Sequence, residues 1–489
     1  MKSPLRKSFF TCFAAALLAF GVEGARTVAQ EAKQPTDGLA KKLSFHRDIR
    51  PILRVHCQGC HQPAKPMGKL VLTSYAEMKQ GGESNDPGFV PGKPDESPLL
   101  LQVVGQKGQR PAMPKDRPPL EEADVAKIRK WIVEGAVDDT PPAERVTIDM
   151  EHPPTYVLPP VVTSVDFSPD GKLLAVSGYH EVLLHKADGS GIAARLVGLS
   201  ERIESARFSP DGKLLAVTGG SPCRFGEVQI WDVAAKKLKL SANVGFDTLY
   251  GASWAPNGKM VAFGCPDNNV RAIDPETGKQ VLQQGAHSDW VLDTTFTLDG
   301  AHLISVGRDM TAKLTEVATQ RFEDNITSIT PGALKGGLMA VDVRPKTKPD
   351  MIEQIAVGGS DGAPAIFRVH REKVRMIGDD FNRLRTFEKL PGRVFGVAFS
   401  RDGKLLVAGS SYDDPQTGAR LGEVRVFQAE DGQRVSTFAD QKTAVYCVTF
   451  SPDGKRVATG GFDGTVRLFE TATGKLIKSF PAAPLTARQ

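Results

Sequence analysis

Residues 162–178 read VTSVDFSPDGKLLAVSG, and the pattern returns at 203–219 (IESARFSPDGKLLAVTG), 394–410 (VFGVAFSRDGKLLVAGS) and 444–461 (AVYCVTFSPDGKRVATGG). Fainter copies stand at 249–264 (LYGASWAPNGKMVAFG), 290–307 (WVLDTTFTLDGAHLISVG) and 338–359 (LMAVDVRPKTKPDMIEQIAVGG). The copies align on a large residue: Phe167, Phe208, Trp254, Phe296, Val343, Phe399 and Phe450. Five residues earlier the chain is always apolar, with Val162, Ile203, Leu249, Val291, Leu338, Val394 and Val445. Three residues earlier stand Ser164, Ser205, Gly251, Asp293, Ala340, Gly396 and Cys447, small except for the aspartate. That column is expected where neighbouring inner strands crowd together. Ser-Pro-Asp-Gly suits a type I turn, with Pro presetting φ at its second position. Strand-like runs such as GEVQIWDV, GEVRVFQ and GTVRLFE follow, each after a glycine-containing turn.

Seven copies over about 325 residues average roughly 46 residues each. Four short strands per unit at this period mark a β-propeller, and the repeats resemble the WD-repeat type. The resemblance implies an all-β, seven-bladed propeller over 158–482. It is degenerate: only Trp231-Asp232 supplies the dipeptide that names the repeat, and His287 is the one clear histidine at its repeat position. Asp309, Asp361 and Asp463 fall in corresponding turns, where a carboxylate is expected to brace the backbone.

The chain upstream differs. Residues 54–66, RVHCQGCHQPAKP, carry Cys57 and Cys60 three positions apart, with His61 directly after. In an exported protein C-x-x-C-H reads most simply as a c-type haem site. Both thiols can then reach the porphyrin vinyl groups, and the histidine becomes the proximal iron ligand. Zinc would need a second ligand pair at similar spacing, and a redox dithiol an α/β context. Those alternatives and chance stay open on spacing alone. For the distal ligand the sequence favours Met113, framed by Pro111 and Pro114, over Met67, Met78, His46 and His56. Asp48 is expected to cap a short helix entering the motif through IRPILRVHC. EEADVAKIRKWIVEGA reads as an amphipathic helix with Val125, Ile128, Trp131 and Ile132 on one face and Gly135 at its end. These features suit a small all-α domain.

The segments FHRDIRPILRVHCQGCHQP, GGESNDPGFVPGKPDESPLL, MPKDRPPL and IRKWIVEGA together resemble the planctomycete-type cytochrome c domain, over roughly 43–138. The resemblance implies one covalent haem c on Cys57 and Cys60, His61 as axial ligand and Met113 as distal ligand. It supplies no substrate.

Around these domains the sequence suggests a signal peptide at 1–24. Lys2, Arg6 and Lys7 precede an apolar run from Phe9 to Val22, with Val22 and Gly24 near a cleavage position. An N-terminal linker follows at 25–42. A Pro-rich, semi-rigid linker is expected at 139–157 and a frayed tail at 483–489. The expected location is periplasmic or otherwise exported, with no membrane span once the signal is removed. With 62 basic and 57 acidic residues the net charge is only +5, which gives nucleic-acid binding no support. Five cysteines remain outside the signal run, too few to frame the fold. Cys223 and Cys265 are the pair that could bridge, and Cys447 is expected to be buried.

The function expected is electron transfer through one haem, with the propeller as a scaffold for a redox partner protein and for other proteins on a propeller face. Lys65, Lys69, Arg110, Lys115 and Arg117 flank the haem-binding segments and suggest a basic collar for an acidic partner. The alternative is an oxidoreductase whose propeller holds a second cofactor or substrate, a layout that resembles haem-containing nitrite reductases and quinohaemoprotein dehydrogenases. Against it, the histidines outside the cytochrome, His152, His180, His185, His287, His302 and His370, are scattered in sequence. His180 and His185, flanking one strand, are the nearest to a metal-binding pair.

Overall fold

The computed structural model describes residues 42–63, 65–84, 86–105, 109–115, 117–141, 148–328, 336–376 and 380–486. The expected signal peptide and nearly all of the N-terminal linker lie outside the described residues. Among those described, no helix is long and apolar enough to cross a membrane.

The first part of the described chain is mainly helical. A five-residue π-helical turn, Phe45–Ile49, runs directly into α1 (Arg50–His56), with Pro51 in its first turn. Asp48 does not cap α1. Ser44 is the cap, its hydroxyl accepting from the Arg47 N–H at 3.0 Å, while the Asp48 carboxylate reaches back to the Ser44 N–H at 2.8 Å. The reciprocal bonds satisfy two end groups, so helical structure starts one turn earlier than Asp48 suggested. At α2 (Tyr75–Gln80) the Ser74 hydroxyl accepts from the Glu77 N–H and donates to the Glu77 carboxylate. A short α3 (Pro98–Val103) follows, and α4 (Glu122–Val133) closes the domain with Ile128, Trp131 and Ile132 buried. Gly135 then adopts φ +99°, the left-handed conformation that ends helices. The all-α expectation needs one amendment: His61–Gln62 and Lys65–Pro66 form a two-residue antiparallel pair.

The helices enclose one apolar cluster. Trp131 lies 5.4 Å from Phe45 and 5.1 Å from Phe89, ring centre to ring centre, and Tyr75 stands edge-on to Phe45. Leu53, Met78 and Leu100, each fully buried, are among the side chains that fill the remainder.

From Val165 on, the chain forms antiparallel sheets in sequence order, here numbered I to VI: residues 165–243, 250–284, 291–325, 338–386, 393–437 and 445–481. Sheets II, III, IV and VI have four strands each; V has four in its main path and one short added strand. Sheet I has seven, because the 17-residue strand Ile192–Phe208 ends one meander and begins the next.

The aligned sequence columns correspond to physical layers. The apolar column from Val162 to Val445 is buried throughout. The large column faces the second strand, as in Phe167 opposite Leu174 and Phe208 opposite Leu215. Each Ser-Pro-Asp-Gly turn closes identically. The Gly171 N–H donates to Ser168 O at 2.8 Å, and the Ser168 hydroxyl donates to Asp170 while accepting from the Leu173 N–H. The small column is where first strands meet: a Cβ on Gly251 would lie 2.3 Å from the Asp293 Cα. Cys447 is buried there, its Sγ 3.5 Å from Gly460 O.

First strands are also tied by side chains. Asp166 accepts from the Phe208 N–H at 2.8 Å, Asp293 from Val341 at 3.0 Å and Asp342 from Phe399 at 2.7 Å. Val162 N–H donates to Gly461 O at 2.9 Å, joining the start of sheet I to sheet VI.

The expected tail is packed as far as it is described. Ala482 and Ala483 are fully buried, and the Thr486 N–H donates to Tyr156 O at 2.8 Å. Ala483 fits beside Leu183 and Tyr156, Ala482 packs in the cluster of Val165, Val176 and Val466, and the Ala482 carbonyl lies 2.8 Å from His185 Nε2. The Pro-rich connection is likewise anchored near its end. The Tyr156 hydroxyl donates to Glu181, itself paired with Arg195, and Arg195 donates to Pro154 O. Residues 142–147 lie outside the description. Cys223 and Cys265 are both free, Cys223 exposed and Cys265 buried.

Candidate functional site

The Cys57–His61 motif follows α1 without a break. The Cys57 N–H donates to Leu53 O at 2.8 Å, and the Cys57 carbonyl accepts from the N–H groups of both Cys60 and His61, each at 3.1 Å. This tight turn presents the two thiols differently: Cys57 packs against the helical core, and Cys60 is exposed. Burial, reinforced by the neighbouring Cys60, pushes the Cys57 thiol up to about 12. His61 is half-buried on the two-residue strand pair. Burial lowers its pKa against the opposing backbone groups of Leu70 and Met67, and its Nδ1 is buried without a hydrogen-bond partner.

Met113 packs, partly buried, against the same cluster as Cys57, and its N–H donates to Gln102 O at 2.9 Å. The competing methionines are placed otherwise: Met78 is fully buried in the core and Met67 is 49% exposed. Thus Cys57 and Met113 share one apolar cluster, while Cys60 and His61 lie at its margin. Two thiols, an imidazole with a buried, unpartnered nitrogen and a thioether on apolar packing are the donor types that haem c requires, and on that chemistry the residues fit the group.

The motif also rests on sheet I, a contact its sequence does not signal. Asn243 Nδ2 donates to Arg54 O at 2.6 Å, Lys65 Nζ donates to Lys239 O at 2.8 Å, and the Arg54 guanidinium lies 5.0 Å from the Phe225 ring centre. Gly59, between the cysteines, packs so closely that an added Cβ would meet Ser241 O at 2.7 Å. Lys65 is therefore committed to this contact and leaves the expected basic collar. A cavity of about 370 Å³ lies at the junction, lined by Arg50, Arg54, His180, Glu201 and Arg224 among others.

A second cavity, about 440 Å³, runs among the first strands. Asp166, Asp293, Asp342 and Arg207 line it. Burial pushes the three carboxyls up, to about 6, 6 and 7, with Arg207 opposing the shift at each. Their hydrogen bonds to neighbouring first strands assign them to bracing. His287, Asp309 and Ser305 form a chain resembling a hydrolase triad: Nδ1 to Asp309 at 3.0 Å and Nε2 to Ser305 at 2.8 Å. His287 and Asp309 have side chains only 1% and 4% exposed, so no substrate reaches them. Asp309 also accepts from the Ser288 and Thr311 N–H groups, bracing its turn, and Asp361 and Asp463 act likewise at Ala363 and Thr465.

His180 and His185 are not a ligand pair; each faces a backbone carbonyl, of Gly198 and Ala482. The histidines that do meet are His302 and His370, from different sheets, with ring centres 4.9 Å apart.

Comparison with known proteins agrees with both halves. Residues 57–117 match the family model Planctomycete cytochrome C, and residues 154–184, 381–414 and 432–470 match WD domain, G-beta repeat. The chain thus joins a cytochrome c-like domain of the planctomycete type to WD repeats. Among curated proteins it is similar to a serine-threonine kinase receptor-associated protein of Gallus gallus, 21% identical over 46% of this chain and 68% of that one. A guanine nucleotide-binding protein subunit beta of Oryza sativa subsp. japonica is 21% identical over 48% of this chain and 59% of its own length. Coronin-7 of Bos taurus is 30% identical over 24% of this chain but only 13% of that protein. The chain therefore spans only part of each of these relatives.

Proposed function

We propose that the protein is an exported c-type cytochrome that transfers electrons through one covalently held haem, with the sheets closing into a seven-bladed propeller that serves as a protein-binding scaffold. The observation that carries the reading is the Cys57–His61 turn: two thiols and an imidazole on one tight loop, within the segment that matches planctomycete cytochromes. Cys57 and Cys60 would hold the group covalently, and His61 and Met113 would supply nitrogen and sulfur ligands to its iron. When bound it supplies one-electron exchange at iron, and a His/Met pair favours electron transfer over oxygen chemistry. The protein's own part is to fix these donors. α1 and the Cys57 carbonyl set the turn, the apolar cluster excludes water, and sheet I backs the loop.

Sheet I counts as two blades in this reading, and the Val162–Gly461 bond supports closure of the ring. The WD repeats support protein binding as the scaffold's role, because propeller loops commonly bind partners while fold alone assigns no chemistry. The export reading rests on the N-terminal signal pattern.

The test is extraction. Protein denatured in acid-acetone should keep its haem and give a c-type pyridine haemochrome, whereas the Cys57→Ser/Cys60→Ser double variant should release it. Complete loss of haem from the unaltered protein would overturn the assignment.

A further inference from the structure

We propose that His302, His370 and Glu323 form a zinc site that clips sheet III to sheet IV. One ligand atom from each lies within 4.8 Å of the others. His302 opens the strand His302–Gly307 and is held by its backbone, its N–H on Thr297 Oγ1 at 2.9 Å and its carbonyl accepting from the Thr297 N–H at 3.0 Å. Glu323 belongs to the outer strand Phe322–Asn325 of the same sheet, at the register shift where it opposes no residue. Such bulges commonly re-aim a side chain. His370 comes from sheet IV, just beyond the strand Ala365–Arg368.

The distances suit a tetrahedral cation. Bonds of about 2.0–2.1 Å to His nitrogen and carboxylate oxygen put neighbouring ligand atoms about 3.4 Å apart. His302 Nε2 and Glu323 Oε2 are already 3.2 Å apart. The second histidine must close a short gap, and His370 and Glu323 are both exposed enough to turn.

A fourth group stands nearby. Glu353 Oε2 is 3.8 Å from His370 Nε2, while its Oε1 accepts from the Leu298 N–H at 2.6 Å. Glu353 thus already links sheet IV to the turn leading into His302. The neighbouring Arg375 and Arg371 lie 2.7 Å and 3.6 Å from Asp324. Two imidazoles with carboxylates select zinc over magnesium or calcium, which prefer all-oxygen shells. Zinc has no redox chemistry, so the site is a structural clip independent of the haem reading.

The full-length protein, as isolated, is dialysed against zinc chloride with excess magnesium, and bound zinc is measured by elemental analysis. Thermal unfolding is followed in parallel. The expected result is one zinc per chain lost, or bound at least tenfold more weakly, in His370→Ala and in Glu323→Gln, with a zinc-dependent rise in Tm that these variants lack. His370 is exposed, so its removal leaves folding intact even where a His302 variant fails to fold. Zinc held by Cys57 and Cys60 in haem-free chains is common to all these proteins and drops out of the comparison. Equal zinc stoichiometry and affinity in the unaltered protein and His370→Ala would overturn the proposal.

Discussion

The sharpest test of how the haem motif is held is Gly59→Ala. The backbone at Gly59 has no positive φ, so alanine brings no conformational strain and the effect is one of contact alone. Its Cβ would lie 2.7 Å from Ser241 O, about 0.7 Å short of ordinary contact. Neither side yields freely. The Ser241 hydroxyl donates to the buried Glu227, which also accepts from Ser200 and Gln229. The Cys57 carbonyl, meanwhile, closes the motif turn from the other side. Overpacking of this kind costs about 1–3 kcal/mol, and separation of the surfaces also gives up the Asn243–Arg54 hydrogen bond. Because the penalty falls on the docked state, local opening should become about five- to 150-fold more frequent, at 1.4 kcal/mol per factor of ten. Hydrogen exchange read by mass spectrometry on peptides covering 50–62 and 237–243 should accelerate by that factor, while sheet VI stays unchanged. Exchange in both peptides identical to the unaltered protein would refute the claim that the motif is seated on sheet I.

Met113→Ala should abolish the weak sulfur-to-iron band of the ferric protein and lower the reduction potential, while Met113→Leu, which keeps the packing volume, should lose the band with less loss of stability; an unchanged spectrum in both moves the distal ligand elsewhere. The Asp342 carboxyl, raised by burial to about 7, binds a proton more tightly folded than unfolded. Its contribution therefore declines as pH rises from about 4 to 7, and Asp342→Asn, which can still accept from Phe399, should flatten that decline and raise Tm at pH 8. A Tm–pH profile parallel to that of the unaltered protein would contradict the buried carboxyl. In native alkylation Cys223 should react without reductant, whereas Cys265 and Cys447, buried and with thiols pushed up to about 12, should require denaturant. Ready labelling of Cys447 would break the strand alignment.

Local chemistry was legible because it repeats. Ser-Pro-Asp-Gly specifies its own hydrogen bonds within six residues, so the turns, the paired strands and the crowded column could all be read from the chain. The closing helix was equally plain, since Ile128, Trp131 and Ile132 recur at helical spacing. What escaped involves surfaces that meet at long sequence separation. His302 and His370 share no motif, and Gly59 carries no mark of Ser241 opposite it. Asp48 misled for a subtler reason: an acidic residue near a helix start serves equally as cap or as the far half of a capping box, and only the Ser44 partner distinguishes them. The chain end misled because alanine and proline look featureless until a hole of their size is known to exist.

The clasp at Tyr156 bears on the order of events during synthesis. Tyr156 takes the Thr486 N–H across 330 positions, and Ala483 packs beside it against Leu183. On a ribosome moving at about 5–20 residues per second, those last partners emerge tens of seconds after Tyr156 itself. Through that interval the helical domain can complete its own core, but the segment joining it to the sheets lacks its final fastening. The connection to the haem-motif domain is thus held in two stages: Glu181 and Arg195 fix Tyr156 and Pro154 early, and the Tyr156 carbonyl gains its partner only when Thr486 is available.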